Sequence, residues 1–308
     1  MNKNKILISG ATSRTANALL EVLISETNDE IVLLSNSDIN LYFNKRIKFY
    51  KTNVAQINTL KKICYDEAPN AIVITNGIHD ISLCETNKKL AWTVNVTIVE
   101  NFLTISRVLD AHLIMISTDQ IFDGRKGPYT EEDKPNPQNY FGKTKHTAEN
   151  ALLANLLKST IIRTSMIYGT AFSPKNDFIN DIIAEFNAKS QILINEGNYT
   201  NPTFVDDIAL AIYKIIIKQR FGIYNVAGSD ILNNFDIYIQ ISEAFNLNEG
   251  KLRLNQNKPK SISQRLNNRY GLITLKAETD LGIKLTSFQN GLIARRFKSF
   301  SKNNIYGV

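Results

Sequence analysis

The sequence predicts an α/β fold, a doubly wound parallel sheet with a smaller C-terminal lobe, and three observations predict it. Short strand-like runs alternate with amphipathic helix-like runs over the first half of the chain. The strand-like runs are apolar throughout, as strands covered on both faces must be. The first of them passes through a glycine-bearing turn directly into a helix. The predicted strands are Lys5–Ser9, Ile31–Leu34, Ile47–Tyr50, Ala71–Thr75, His112–Ser117 and Thr160–Arg163, with helical stretches at Thr15–Ser25, Ile57–Asp66 and a long Asn87–Asp110. From about Met166 the order loosens into a helix near Phe178–Phe186, the run Ile208–Ile217, a strand Gly222–Val226, a helix near Phe235–Phe245 and a basic tail. We divide the chain at residues 1–165 and 166–308, the first part forming the sheet domain and the second mainly the smaller lobe, with some exchange of chain between them.

With 308 residues, 43% hydrophobic and 21% charged, the chain suits one large core or two moderate ones and is neither disordered nor collagen-like. No apolar run approaches the roughly 18 to 20 residues that span a bilayer. Met1–Lys5 leads straight into the first strand rather than into a signal sequence, so we read a cytoplasmic chain without membrane partners. Cys64 and Cys84 make no disulfide framework, and with His79, His112 and His146 they show no metal-ligand spacing, so no metal is expected. They read as ordinary semi-buried thiols. Residues 251–308 carry 12 Lys/Arg against Glu278 and Asp280, a net +10 in a chain of +7, which leaves −3 elsewhere. No zinc-finger spacing or aromatic-rich RNA signature accompanies this basic region, which argues against nucleic acid. A nucleotide diphosphate or a plain solvated surface suits it equally.

Gly10-Ala11-Thr12-Ser13-Arg14-Thr15-Ala16 follows the first strand. A turn in this place holds a pyrophosphate on backbone N–H groups at a helix N-terminus, which makes the fold Rossmann-like and Gly10, Thr12, Ser13 and Arg14 candidate cofactor residues. Only the first of the three glycine positions is glycine. Ala16 is an accepted substitute where helix packs on strand, whereas Ser13 adds a Cβ where backbone approaches cofactor. An acid at the end of the second strand marks NAD, but that strand ends Leu34-Ser35-Asn36-Ser37, with Asp38 too late to serve. Arg14 suits a 2′-phosphate, which tilts the expectation toward NADP over NAD. A solvated arginine at a helix start accounts for it as well.

The fifth strand delivers Thr118 to its carboxyl end, where open α/β sheets place ligands. Asp119, Gln120 to Gly124, a Pro-rich acidic loop and the helix beginning Asn139-Tyr140-Phe141-Gly142-Lys143-Thr144-Lys145 follow. Gly10–Ala16, Ala91–Asn95, Ser117–Gly124, Asn139–Lys145, Ile162–Gly169, Asn201–Val205 and Arg265-Leu266-Asn267-Asn268 fall in one order along nearly the whole chain. In that order they resemble the extended short-chain dehydrogenase/reductases, and within them the dTDP-4-dehydrorhamnose reductases.

The resemblance implies hydride transfer from NAD(P)H to a keto group on a nucleotide-linked sugar, and dimers as the common association. It makes Thr118 the hydroxyl that holds the carbonyl and Lys145 the lysine that holds the nicotinamide ribose. A tyrosine four residues before the lysine supplies the proton, its pKa lowered by the ammonium on the same helical face. That position is Phe141, which has no proton to give. A general acid contributes roughly 10²–10⁴-fold. Tyr140 is adjacent but about 100° away around the helix, facing Lys143 and Thr144, unless the helix start shifts. Tyr168, a protonated Asp119 and a bound water are the other donors open. The resemblance also assigns Asn53, Val54, Asn76, Gly77 and Ile78 to the adenosine side and Asp119, Met166 and Arg265 to the sugar. Met166 stands where the family often has a tryptophan. The chain's one tryptophan, Trp92, is expected in the core. Two readings follow: a reductase with an altered proton donor, or a catalytically silent subunit that binds cofactor or sugar nucleotide. The second has a precedent in the reductase-like regulatory subunit of a methionine adenosyltransferase.

Overall fold

The computed structural model describes residues 4–39, 45–155, 158–169, 177–195, 197–255 and 269–305. All six predicted strands form: β1 Lys5–Ser9, β2 Glu30–Ser35, β3 Ile47–Lys51, β4 Ala71–Ile74, β5 His112–Thr118 and β6 Ser159–Thr164. The short strands β7 Ile167–Tyr168, β8 Ile192–Ile194, β9 Tyr199–Thr200 and β10 Thr203–Phe204 follow, and then β11 Gly222–Asn225. The helices that concern the site are α1 Arg14–Glu26, α2 Ile57–Glu67, α3 Ile81–Thr86, α4 Lys88–Trp92, α5 Ile98–Leu109, α6 Tyr140–Asn155, α7 Phe178–Ala188, α8 Val205–Lys218 and α9 Asn234–Phe245.

Seven strands form one sheet in the order β11-β6-β5-β4-β1-β2-β3, every neighbouring pair parallel. The chain runs outward from β1 to β3 and then returns to β4 on the other side of β1. That reversal opens a crevice at the carboxyl ends of the strands. Register brings those ends level: Ser9 lies beside Leu34 and Ile74, and Thr118 beside Thr164.

The period-2 alternation of strands divides the core. Ile6 and Ile8 pack with Leu19 and Leu23 of α1 and with Ile208 and Ile212 of α8, whereas Leu7 packs on the other face with Leu60, Phe102 and Leu152. Residues beyond 166 thus return to cover one face of the sheet. A separate cluster around Tyr168, Ile179, Phe186, Ile237, Ile241 and Phe288 forms a second core. On the sheet's far side Glu149 of α6 and Arg163 of β6 pair at 2.9 Å, both buried, so α6 is held against the sheet by two charges that need each other.

The predicted long helix 87–110 is interrupted. Between α4 and α5 the residues Thr93–Thr97 form a π turn. This corrects the expectation for Trp92: Ala91 is the buried residue there, and Trp92, about a quarter turn on, is 42% exposed instead of in the core. Cys64 and Cys84 are fully buried, beyond the semi-buried state expected of them. Among the described residues no helix is long and apolar enough to cross a membrane. Part of the basic tail is occupied internally, Arg295 on Asp177 at 3.1 Å and Lys276 on the carbonyl of Ile223 at 2.8 Å.

Candidate active site

The crevice is a cleft of about 1040 Å³, lined from β1, β4, β5 and β6 on one side and by Met166, Asp177, Tyr199 and Tyr270 on the other. That volume is at the top of the range of small-molecule sites and leaves room for more than one ligand.

The loop after β1 forms its floor. Gly10 has φ +86°, and a Cβ there would meet Thr75 Oγ1 at 2.8 Å and the Asn76 backbone N at 2.9 Å, so both conformation and close approach require glycine. Ser13 is occupied within the protein. Its hydroxyl caps α1 by accepting from Ala16 N at 3.0 Å and donates to Thr75 Oγ1 at 2.7 Å, while Thr75 in turn donates to the carbonyl of Ser9 at 2.8 Å. The residue that breaks the glycine pattern therefore ties the phosphate-type loop to β4. Ser13→Ala is expected to lower unfolding stability by about 1 kcal/mol, the usual worth of a helix cap, measured by urea denaturation. An unchanged urea midpoint counts against the tie.

Arg14 is engaged within the protein: its Nη1 donates to the carbonyl of Gly169 and lies 3.8 Å from Asp177. Asp177 is also the N-cap of α7. At the end of β2 Asn36 lines the cleft, and Asp38 is tied to Lys51 at 2.6 Å. Gly10, Thr12, Ser13, Arg14, Asn76 and Gly77 are thus brought together, but Asn53, Val54, Ile78 and Lys145 are not among the cleft's lining. Val54 packs with Leu60 in the core, and Asn53 Oδ1 accepts from Ala55 N. Arg265 lies outside the described residues.

The reactive end is built by β5 and α6. Thr118 closes β5, and its Oγ1 accepts from Gln120 N and faces Asp119 Oδ1, both at 3.2 Å. Asp119 is buried, and burial pushes its carboxyl up to about 6 against hydrogen bonds from Ser165, Thr118 and Gln120. Ser165 Oγ donates to Asp119 Oδ2 at 2.6 Å and contacts Thr200 Oγ1. Gly142 lets α6 approach the segment after β5, since a Cβ there would meet the Gln120 carbonyl at 2.1 Å. Phe141 lines the cleft with Thr118, the imidazole of His79 edge-on to its ring at 5.8 Å between centroids. Lys145, one helical turn on, is 2% exposed and forms no ion pair among the described residues. Burial brings its ammonium down to about 8 against the pull of Glu149.

Two of the alternative donors are placed elsewhere. Tyr140 packs against the small cluster of Cys84, Ala91 and Phe141, with Lys88 Nζ 5.4 Å above its ring, and does not line the cleft. A shifted helix start is opposed by Asn139, whose Oδ1 accepts from Gly142 N at 2.7 Å and whose Nδ2 donates to Gln120 Oε1 at 3.1 Å. Tyr168 is buried in the second core, and its hydroxyl faces the Phe288 carbonyl. Met166 does line the cleft, held at φ +36°.

Several contributors carried no sequence signal of a role. Asn95, in the π turn, accepts from Ile78 N at 2.9 Å and donates to Thr144 Oγ1 at 3.0 Å, joining the loop after β4 to α6. Ser165 reaches Asp119 from a distant segment, with Thr200 behind it. Tyr270 lies against Gly124, where a Cβ would meet its ring at 2.9 Å. Burial, with the charge of Asp119, pushes its phenol up to about 12.

A family model described as RmlD substrate binding domain matches residues 4–298. Methionine adenosyltransferase 2 subunit beta of Bos taurus is 30% identical over 230 residues, covering 72% of this chain and 69% of that protein. The dTDP-4-dehydrorhamnose reductase of Aggregatibacter actinomycetemcomitans is 27% identical over 244 residues, covering 77% of this chain and 78% of that one. The crystal structure of dTDP-4-dehydrorhamnose reductase from Bacillus anthracis in complex with NADP has a TM-score of 0.79 at 20% identity, covering 96% of this chain and 100% of that chain, a likeness of fold.

Proposed function

Since the chain belongs to the RmlD substrate binding domain family, we propose that it is an NAD(P)H-dependent reductase of a 4-keto nucleotide sugar whose proton donor is not the tyrosine of its relatives. The observation that carries this reading is the cleft shared by Thr118, at the carboxyl end of β5, and Phe141 of α6, one helical turn before the buried Lys145. The donor set fits a dinucleotide: a turn that only glycine can make opens α1, and a buried lysine with no ion pair among the described residues follows Phe141 by one helical turn. When bound, the reduced nicotinamide supplies the hydride. The chain's residues do the rest. Gly10, Thr12 and Ser13 hold the pyrophosphate at the α1 N-terminus. Asn76 and Gly77 border the adenosine, and Lys145 holds the ribose nearest the nicotinamide. Thr118 orients the keto oxygen, with Asp119 and Met166 beside the sugar. The end of β2 bears no committed carboxylate toward the cleft, which suits NADP as well as NAD. The sheet side then holds the dinucleotide and the smaller lobe the sugar nucleotide.

The test mixes purified protein with NADPH or NADH and a panel of 4-keto nucleotide sugars and follows the absorbance of the reduced cofactor, alongside thermal shifts with each dinucleotide. Cofactor consumption dependent on one of the sugars is the expected result. A second reading, a silent binding subunit, is favoured by Phe141 together with the similarity to methionine adenosyltransferase 2 subunit beta. Dinucleotide binding with no turnover on any sugar would establish that one instead.

A further inference from the structure

We propose that Asp119 supplies the proton that Phe141 cannot, passing it to the product oxygen through the hydroxyl of Thr118. The proposal rests on the reductase reading and concerns how that reaction is completed.

Four side chains form a continuous path from the keto-oxygen site inward. Thr118 Oγ1 and Asp119 Oδ1 are 3.2 Å apart, Asp119 Oδ2 and Ser165 Oγ are 2.6 Å apart, and Ser165 meets Thr200. The Thr118 oxygen already accepts from Gln120 N, which leaves one lone pair and one hydrogen to place. With Asp119 ionised, that hydrogen points at the carboxylate and is withheld from the cleft. With Asp119 protonated, the carboxyl O–H donates to the remaining lone pair and the threonine hydrogen is free to turn toward the keto oxygen. The protonation state of a buried carboxyl thus decides whether Thr118 can donate.

The step balances. Hydride from the reduced nicotinamide forms the new C–H bond and the carbonyl π pair moves to oxygen, so the sugar is reduced and the nicotinamide oxidised. The alkoxide takes the Thr118 hydrogen, Thr118 takes the Asp119 proton, and the carboxylate regains one from water in the cleft. Groups facing the carboxyl are Thr118 of β5, Gln120 after it, Ser165 after β6, Thr200 of β9 behind Ser165, and Tyr270, whose phenol stays protonated. None of these neighbours is a cation that would hold Asp119 ionised. Burial leaves it titrating near neutrality, where a general acid works best.

Three proteins test it: the wild type, Asp119→Asn and Ser165→Ala. In the wild type, kcat should fall as pH rises through about 6, because the protonated form is the active one. Asp119→Asn can free the Thr118 hydrogen but cannot replace it, so kcat should drop roughly 10²–10⁴-fold and that limb should vanish. Ser165→Ala removes a hydrogen bond to the ionised form, so the limb should move to higher pH with the maximal rate retained. An independent readout is the carboxyl ¹³C resonance of Asp119, assigned by its loss in Asp119→Asn, which should titrate near 6 and higher in Ser165→Ala. Near-wild-type turnover in Asp119→Asn, or a carboxyl midpoint in the ordinary aspartate range, overturns the relay alone. Absence of turnover by the wild type on every sugar, with dinucleotide bound, overturns the reductase reading and the relay with it. Should Asp119→Asn fail to fold, the direction of the Ser165→Ala shift decides, an unmoved limb refuting the relay.

Discussion

Phe141→Tyr is expected to raise kcat, by roughly tenfold to a hundredfold at pH 8 and by less at pH 5.5. Phe141 lines the cleft with Thr118 and precedes Lys145 by one helical turn, so a hydroxyl added to its ring enters a cleft that already holds Thr118, with Lys145 on the same helical face. The ammonium one turn away favours the phenolate and so makes the phenol a stronger acid. The gain depends on pH because of what is already present. Below about 6 Asp119 is protonated and able to supply protons through Thr118, whereas at pH 8 it is ionised and the new phenol has no competitor. The measurement is the ratio of kcat between Phe141→Tyr and wild type across pH 5.5 to 8.5. A ratio that is flat and near one, with dinucleotide affinity retained, would show that the missing phenol is not what limits this site.

What the sequence made legible was whatever a local pattern records. The strands appear as apolar runs because both faces of a central parallel sheet are buried, and each predicted run lies in the observed sheet. Thr118 was found because it follows such a run, and Phe141 and Lys145 because their spacing is one helical turn. The failures have a common cause. The π turn adds no residue pattern of its own, so a continuous helix was expected through Thr93–Thr97 and Trp92 was turned inward. Arg14 was read by its charge and its place in the loop, but its partners, Gly169 and Asp177, come from more than 150 residues further on. The side chain over the Tyr140 ring, Lys88, belongs to another helix, which the spacing along α6 cannot reveal. Ser165 and Thr200 are unremarkable in sequence. Only the fold brings Ser165 to Asp119 and Thr200 to Ser165, and a hydrogen-bond chain between distant segments leaves no periodicity to read.

Lys145→Met is expected to separate two properties that this side chain joins, with opposite signs. The buried ammonium titrates at about 8 instead of its ordinary 10.5, with burial the larger cause and Glu149 opposing it. A lysine whose folded pKa is depressed destabilises the protein while it is charged. The penalty is full below about 8 and is relieved as pH rises from there toward 10.5. Methionine has similar length and no charge, so the unliganded variant should be more stable than wild type at pH 7, by on the order of 3 kcal/mol. The advantage should shrink steadily above pH 8. The dinucleotide should respond in the other direction, because the ammonium that holds the ribose is gone: its thermal shift should largely disappear and its KM should rise. In the wild-type background there is no phenol for Lys145 to acidify, so the loss should fall on cofactor affinity while the low-pH limb assigned to Asp119 stays in place. In the Phe141→Tyr background the same substitution should in addition return the added phenol toward its ordinary pKa and remove most of its rate gain. Melting temperature from pH 6 to 10, with and without dinucleotide, reads both signs at once. A variant less stable than wild type at pH 7 with an undiminished ligand shift would mean that the ammonium is held by the protein itself and has no part in cofactor binding.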